Sequence, residues 1–260
     1  VSKIAFSIGG LAIYWYGILV AAGFLVGLWT ASRRAPRAGL MPGVVADLGP
    51  WLVIGALVGA RLWYVISYWE EDFAAKPLWQ VVNFRAGGLV FYGGLVGATL
   101  AALLYARWRA VAVAPLGDVL APSIALGHAF GRVGCLINGC CHGTPTALPW
   151  AVHYADNPAL GNIGVHPTQA YEAVLLLGLS AALAWQFRRR QFPGQTFALY
   201  LLAYAVIRFV VEFWRGDYGD ARVLGLKPGQ AFSVVVLAAG VALYARLRPR
   251  RSSVPPTGAA

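Results

Sequence analysis

Residues 51–69 read WLVIGALVGARLWYVISYW, residues 122–139 read PSIALGHAFGRVGCLING and residues 196–214 read TFALYLLAYAVIRFVVEFW. Each is an apolar run of about the twenty residues needed to cross a bilayer as a helix, and each carries one arginine: Arg61, Arg132 or Arg208. A guanidinium keeps its charge at any accessible pH, and at a helix centre in lipid it costs about 2.5–3.5 kcal/mol on insertion scales. Three such residues facing few acids predict that a bound anionic ligand, such as a lipid phosphate, supplies negative charge among them. Glu212, four residues after Arg208, is the first candidate for a protein partner.

Composition agrees with these stretches. The chain is 59% hydrophobic and 12% charged, with ten Trp and a mean hydropathy of +0.63, which excludes a soluble domain. A net charge of +11 raises the question of nucleic acid. The basic residues, however, form short clusters between apolar spans, not one stripe interleaved with exposed aromatics, so no nucleic-acid partner is expected. Seven spans are predicted, at about residues 11–31, 47–69, 88–106, 117–138, 167–187, 195–214 and 229–246. The expected fold class is an all-α integral membrane protein, seven transmembrane helices with a small periplasmic lobe.

If the chain weaves seven times, twelve basic residues share one side: Arg33, Arg34, Arg37, Arg107, Arg109, Arg188, Arg189, Arg190, Arg246, Arg248, Arg250 and Arg251. Lys3, Lys76, Arg85, Arg215, Arg222 and Lys227 fall on the other, beside Glu70, Glu71, Asp72, Asp156, Asp217 and Asp220. Cytoplasmic loops carry the excess of Lys and Arg. The expected localisation is therefore a bacterial inner (plasma) membrane, multi-pass, with the N-terminus periplasmic and the C-terminus cytoplasmic. The first span reads as retained, because its positive charge follows the apolar run instead of preceding it. Residues 1–248 are expected to form one membrane domain. Residues 249–260, rich in Pro and small residues, read as a disordered cytoplasmic tail. No internal repeat suggests a transporter built from two related halves. The long segment from about 139 to 166 is rich in Pro, Gly and Asn and holds a short strand-like stretch at Trp150–Tyr154, so it is expected to be an ordered external lobe.

Helical spacing gathers polar groups towards the outer side. His128 and Arg132 are four apart, on one face of the fourth span. Asn138 follows near its end, and Gly139 and Gly143 permit a tight return of the backbone. Tyr204, Arg208, Glu212 and Arg215 are expected on one face of the sixth span, and Gln169 and Glu172 at the outer end of the fifth. Plainer readings stand beside these. Arg208 and Glu212 suit a structural ion pair; Arg61, close to a span end, suits snorkelling; His128 suits a satisfied buried histidine; Trp15, Trp63, Trp69 and Trp214 suit interface anchors. Cys135, Cys140, Cys141 and His142 raise zinc, but the spacing is poor for it and adjacent Cys140 and Cys141 should point apart, so no metal site is expected. One disulfide among the three would leave an odd thiol.

The segments GRVGCLINGCCHGTPT, HPTQAYE, IRFVVEFWR, GGLVFYGGLVG and IYWYGILVAAGFLVG together resemble prolipoprotein diacylglyceryl transferase. They occur in that family's order along nearly the whole chain. The resemblance implies a seven-span inner-membrane enzyme that transfers the diacylglyceryl group of phosphatidylglycerol to the lipobox cysteine thiol of a preprolipoprotein, with no cofactor. It implies that Arg132 and Arg208 clamp the phosphate and that Glu212 orients Arg208. Glu172 and Gln169 would line the outer end of the cavity, and Arg61 and Tyr16 would lie near the lipid headgroup. Many members have a histidine, proposed as the thiol base, where this chain has Tyr92; a phenol with a reference pKa of about 10 is a poor base at neutral pH, although it can hydrogen-bond a phosphate. His128, His142, His166 and an external base remain open for that role. Members often carry Asn and Glu where this chain has Cys135 and Cys140. A non-catalytic lipid-binding or lipid-transporting relative is the rival expectation.

Overall fold

The computed structural model describes residues 3–249 except 75, 85–86, 156, 158–159, 162 and 218–221. The expected tail beyond Pro249, and Arg85, Asp156 and Asp220 of the charge tally, lie outside the described residues. The helices are α1 (Trp15–Arg34), α2 (Pro42–Ser67), α3 (Phe91–Trp108), α4 (Val113–Asn138), α5 (Thr168–Phe187), α6 (Gln195–Val211) and α7 (Pro228–Leu247). All but α3 are long and apolar enough to cross a membrane, which makes the chain a helical, multi-pass membrane protein. The third helix has 18 residues and ends on Arg107 and Trp108.

The first predicted span begins too early. Residues 4–14 form a hairpin of β1 (Ile4–Ile8) and β2 (Leu11–Tyr14), antiparallel, with Ile8 opposite Leu11. Gly9 and Gly10 make the two-residue turn at φ 56° and 84°, the double left-handed geometry that glycine pairs supply to hairpins. The second span begins earlier than predicted, at Pro42, whose fixed φ suits the first helical turn.

The structure divides into two compact units, Ala31–Leu116 and Val1–Thr30 with Gly117–Ala260. In the first, α2 and α3 approach through glycines: a methyl added at Gly59 would meet the Gly93 carbonyl, and one at Gly97 would meet that of Gly55. Small residues give membrane helices this closeness, because packing between them replaces the missing hydrophobic drive. Tyr105, 1% exposed, donates its hydroxyl to the Val44 carbonyl at 3.0 Å. Arg61 does not snorkel. It is buried, and its guanidinium donates to four backbone carbonyls: Gln80 at 2.6 Å, Val81 at 2.8 Å, Gly87 at 2.6 Å and Gly88 at 3.1 Å.

The second unit packs Ala121, Ala125 and Ala129 of α4 against Leu176, Leu179 and Leu183 of α5 and Tyr200 of α6. Ser180 donates to the Pro122 carbonyl inside α4 at 2.8 Å. Asp118, a buried acid with no catalytic reading, caps α6. Its carboxylate accepts from the Gly194 N–H at 2.7 Å and the Phe197 N–H at 3.0 Å, with Arg190 at 3.8 Å. Unpaired N–H groups and the positive end of the helix dipole explain a carboxylate there. Between α4 and α5 the described residues include a short strand pair. β3 (Val152–His153) pairs with β4 (Gly164–Val165), as the strand-like stretch predicted. Backbone bonds Gly143 to His166, His166 to Thr144 and Thr144 to Trp214 tie residues 142–144 to both neighbouring segments.

Candidate functional site

His128, Arg132 and Arg208 of the second unit converge on Glu172, one turn into α5. Its side chain is 1% exposed. Its Oε2 lies 3.0 Å from Arg132 Nε and 3.5 Å from Arg208 Nη1, and its Oε1 lies 3.7 Å from His128 Nε2. The four-residue spacing of His128 and Arg132 therefore does bring both to one place. Arg208 Nη2 meets Glu212 Oε2 at 2.7 Å, and Glu212 Oε1 accepts from the Gly229 N–H at 3.1 Å, at the start of α7. A methyl at Gly229 would run into the Glu212 carboxylate.

This arrangement alters three expectations. Glu172 lies at the middle of the cluster and not at its rim, because it is the one carboxylate shared by both guanidinium groups. Arg132 and Arg208 are balanced by Glu172 and Glu212, so the charge count does not itself require a ligand. Arg215 leaves the helix face shared by Arg208 and Glu212: α6 ends at Val211, a short 3-10 turn covers Glu212–Trp214, and Arg215 is extended. Arg215 instead grips Asp217 with two bonds of 2.8 and 2.7 Å.

Arg132 is 12% exposed on its side chain, and its Nε lies beside Glu172 without hydrogen-bond geometry. Among the described residues Glu172 is its one acid partner, and its two terminal amino groups have no protein acceptor. A planar fork of this kind suits two oxygens of a phosphate. Tyr204 packs on the His128 ring at 5.4 Å and stacks on Tyr200 at 5.8 Å. Tyr16, exposed, lies over Gly134, two residues from Arg132. An apolar groove of about 220 Å³ runs between α6 and α7, lined by Val206, Phe209 and Val210 and by Val234 and Leu237.

Sequence reasoning allowed a tight return at Gly139 and missed what that turn does to the cysteines. Gly139 is left-handed at φ 73° and the Cys140 N–H reaches back to the Cys135 carbonyl at 3.2 Å. These are the glycine and the six-to-one bond of a Schellman cap, which also sets the two residues that close it side by side. Here those residues are Cys135 and Cys140. Cys141 follows at φ 62°. The expectation that Cys140 and Cys141 diverge fails, because the left-handed backbone turns Cys141 inward: the three sulfurs lie within 4.8 Å of one another. The neighbouring thiols of Cys135 and then Cys141, with the Asn138 side chain, hold the Cys140 thiol below the ordinary range against the opposing effect of burial.

The first turn of α5 holds this turn in place. Gln169 Nε2 donates to the Cys140 carbonyl at 2.7 Å and Thr168 Oγ1 to the Cys141 carbonyl at 2.8 Å. Gln169 also reaches the Tyr154 hydroxyl at 3.3 Å, and burial pushes that phenol up. His142 contacts the Gly143 carbonyl and His166 the Tyr171 hydroxyl, at 3.1 and 3.2 Å. Gly143 itself is buried where those segments meet. Lys227, also missed, donates to the carbonyls of Glu212, Phe213 and Arg215. Arg61 and Tyr92 belong to the other unit, where Tyr92 is exposed beside Phe91.

A family model described as prolipoprotein diacylglyceryl transferase matches residues 3–246. The chain belongs to that family. Phosphatidylglycerol–prolipoprotein diacylglyceryl transferase of Finegoldia magna is 34% identical over 247 residues, covering 95% of this chain and 96% of the relative. The protein of that name from Synechococcus elongatus is 39% identical, covering 90% and 83%, and that from Chromohalobacter salexigens is 36% identical, covering 96% and 94%. The buried cluster on α4, α5 and α6 carries three of the five segments that suggested the resemblance.

Proposed function

We propose that the protein is a phosphatidylglycerol–prolipoprotein diacylglyceryl transferase of the bacterial inner membrane. It moves the diacylglyceryl group of phosphatidylglycerol to the lipobox cysteine of a prolipoprotein. The observation that carries the mechanism is the pair of guanidinium groups sharing Glu172, one of them with its terminal amino groups unengaged by protein. Arg132 takes the lipid phosphate through that fork, and Arg208, oriented by Glu212, adds a second positive charge. The substrate thiolate attacks the glyceryl carbon bearing the phosphate ester, the carbon–oxygen bond breaks, and glycerol phosphate leaves with the electron pair. Charge growing on the leaving oxygen is stabilised by the two arginines in a dry site, where such contacts are strongest. His128 and Tyr204 border the cluster, Tyr16 sits by the phosphate, and Gln169, Asn138 and Gly143 shape the turn beside it. The apolar groove between α6 and α7 suits an acyl chain.

In this reading α3 is the seventh span, residues 139–166 form the periplasmic lobe, the N-terminus is periplasmic and the C-terminus cytoplasmic, in keeping with the positive residues between spans. Tyr92 and Arg61 contribute on the strength of the family resemblance. Arg61 acts through the 80–88 segment whose carbonyls it holds.

The test is transfer of labelled diacylglyceryl from phosphatidylglycerol to a lipobox peptide by purified protein, with a Cys→Ser peptide as control. Thiol-dependent label with release of glycerol phosphate is expected, and Arg208→Ala should abolish it while membrane insertion stays normal. Phosphatidylglycerol binding without transfer would overturn the reading in favour of a lipid-binding protein.

A further inference from the structure

Three thiols that the phosphate clamp does not use meet at the end of α4. Cys135, Cys140 and Cys141 are free and only partly buried, and their sulfurs all lie within 4.8 Å of one another. Zinc held by thiolates at about 2.3 Å in a tetrahedron separates its sulfurs by about 3.8 Å, so the trio needs side-chain shifts of about an ångström to close on one ion. A disulfide would take two of them and leave the third.

The backbone holds the convergence. The capping turn juxtaposes Cys135 and Cys140, while Cys141 occupies a left-handed conformation that non-glycine residues adopt only where their surroundings hold them. Buried Thr168 and Gln169 clamp the two carbonyls of the vicinal pair. Three thiolates and a divalent ion sum to one negative charge. Arg132, one helical turn before Cys135, interacts electrostatically with Cys135 and Cys141 and balances it.

We propose that Cys135, Cys140 and Cys141 bind a thiophilic divalent cation, zinc in type, as three thiolates, and that its fourth position receives the substrate cysteine. Three protein ligands and an open position are the pattern of catalytic zinc. The partial exposure of the trio leaves that position reachable. A thiol that coordinates the ion releases its proton to solvent and becomes a bound thiolate. It then forms the sulfur–carbon bond as the carbon–oxygen bond to phosphate breaks. Side chains three apart on a helix lie about 5–6 Å from one another at Cβ, so a sulfur held at Cys135 and a phosphate held at Arg132 are neighbours. The ion thus does the work of a thiol base. This second half rests on the transferase reading.

Full-length protein in detergent, stripped with a chelator, is titrated with Co²⁺. One equivalent with intense thiolate-to-cobalt charge-transfer and tetrahedral d–d bands is expected, with marked loss of both in Cys141→Ser and in Cys135→Ser. Absence of thiolate bands in the unmodified protein, or bands unchanged in both variants, overturns the site. Adding a lipobox peptide should raise the charge-transfer intensity, and its Cys→Ser counterpart should not. No rise, or full-rate transfer by metal-free protein, overturns thiol activation and leaves the transferase reading intact. Cobalt bands in a protein that transfers nothing support the cation site and count against the transferase reading instead.

Discussion

Changing Glu172 to Gln keeps the side-chain shape and removes one negative charge where water cannot replace it, since that side chain is 1% exposed. Arg132 loses its one acid partner among the described residues; Arg208 keeps Glu212 at 2.7 Å. Removing one partner of a buried ion pair costs about 3–5 kcal/mol, much of it from the charge left behind. At about 2–4 °C per kcal/mol for 150–250-residue domains, Glu172→Gln should melt about 6–20 °C below the parent. If the cost is Arg132 left uncompensated, Arg132→Met in the same chain should recover part of it. The two changes should then couple by at least about 1 kcal/mol, within the range for contacting residues. The assay is thermal unfolding in detergent of the parent, both single variants and the double, followed by circular dichroism. A fall under about 2 °C for Glu172→Gln, or strict additivity, would refute the placement of Glu172 as the counter-charge of Arg132.

Gly229→Ala drives a methyl into the Glu212 carboxylate; the variant should lose about 1–3 kcal/mol of stability and also transfer activity, and a parent-like melting curve would count against the contact. Asp118→Ala leaves the Gly194 and Phe197 N–H groups without their acceptor, at about 1–3 kcal/mol for each buried group left unmet, so its melting temperature should fall with little change in the rate per folded molecule. Gly97→Leu must force α2 from α3, and limited proteolysis should show faster cleavage around residues 68–90. Tyr92→Phe should lower transfer only partly if the phenol merely orients phosphate; complete loss would give the hydroxyl an essential role.

Much of this was legible in the sequence because lipid is an exacting solvent. Apolar length located the six helices able to cross a membrane, and the i,i+4 spacings of His128 with Arg132 and Arg208 with Glu212 survive as real neighbours, since helical geometry alone fixes them. What failed depends on where helices stop. Sequence spacing puts Arg215 on a helix face that ends before it, and the first predicted span takes in the second strand of the hairpin, residues 11–14, although the Gly-Gly turn before it was there to read. The convergence of the cysteines was also written locally: an Asn-Gly at the end of α4 predicts a capping turn that sets the cysteine three residues before Asn138 beside the one two residues after it. Arg61 illustrates the opposite limit. Its partners lie 19 to 27 residues away in a segment without periodicity, and no local rule connects them.

That same residue constrains how the protein is made. Translation delivers α2 to the membrane before residues 80–88, so for a brief interval Arg61 enters with none of its eventual acceptors synthesised. An incoming segment must then present four carbonyls to one side chain, in a setting where backbone polar groups must be met from within the protein. The guanidinium and the loop complete each other, and each is a poor membrane component until the other arrives. Biogenesis at this point is therefore a single concerted event spread over two stretches of chain, and a delay between them would expose both to quality control.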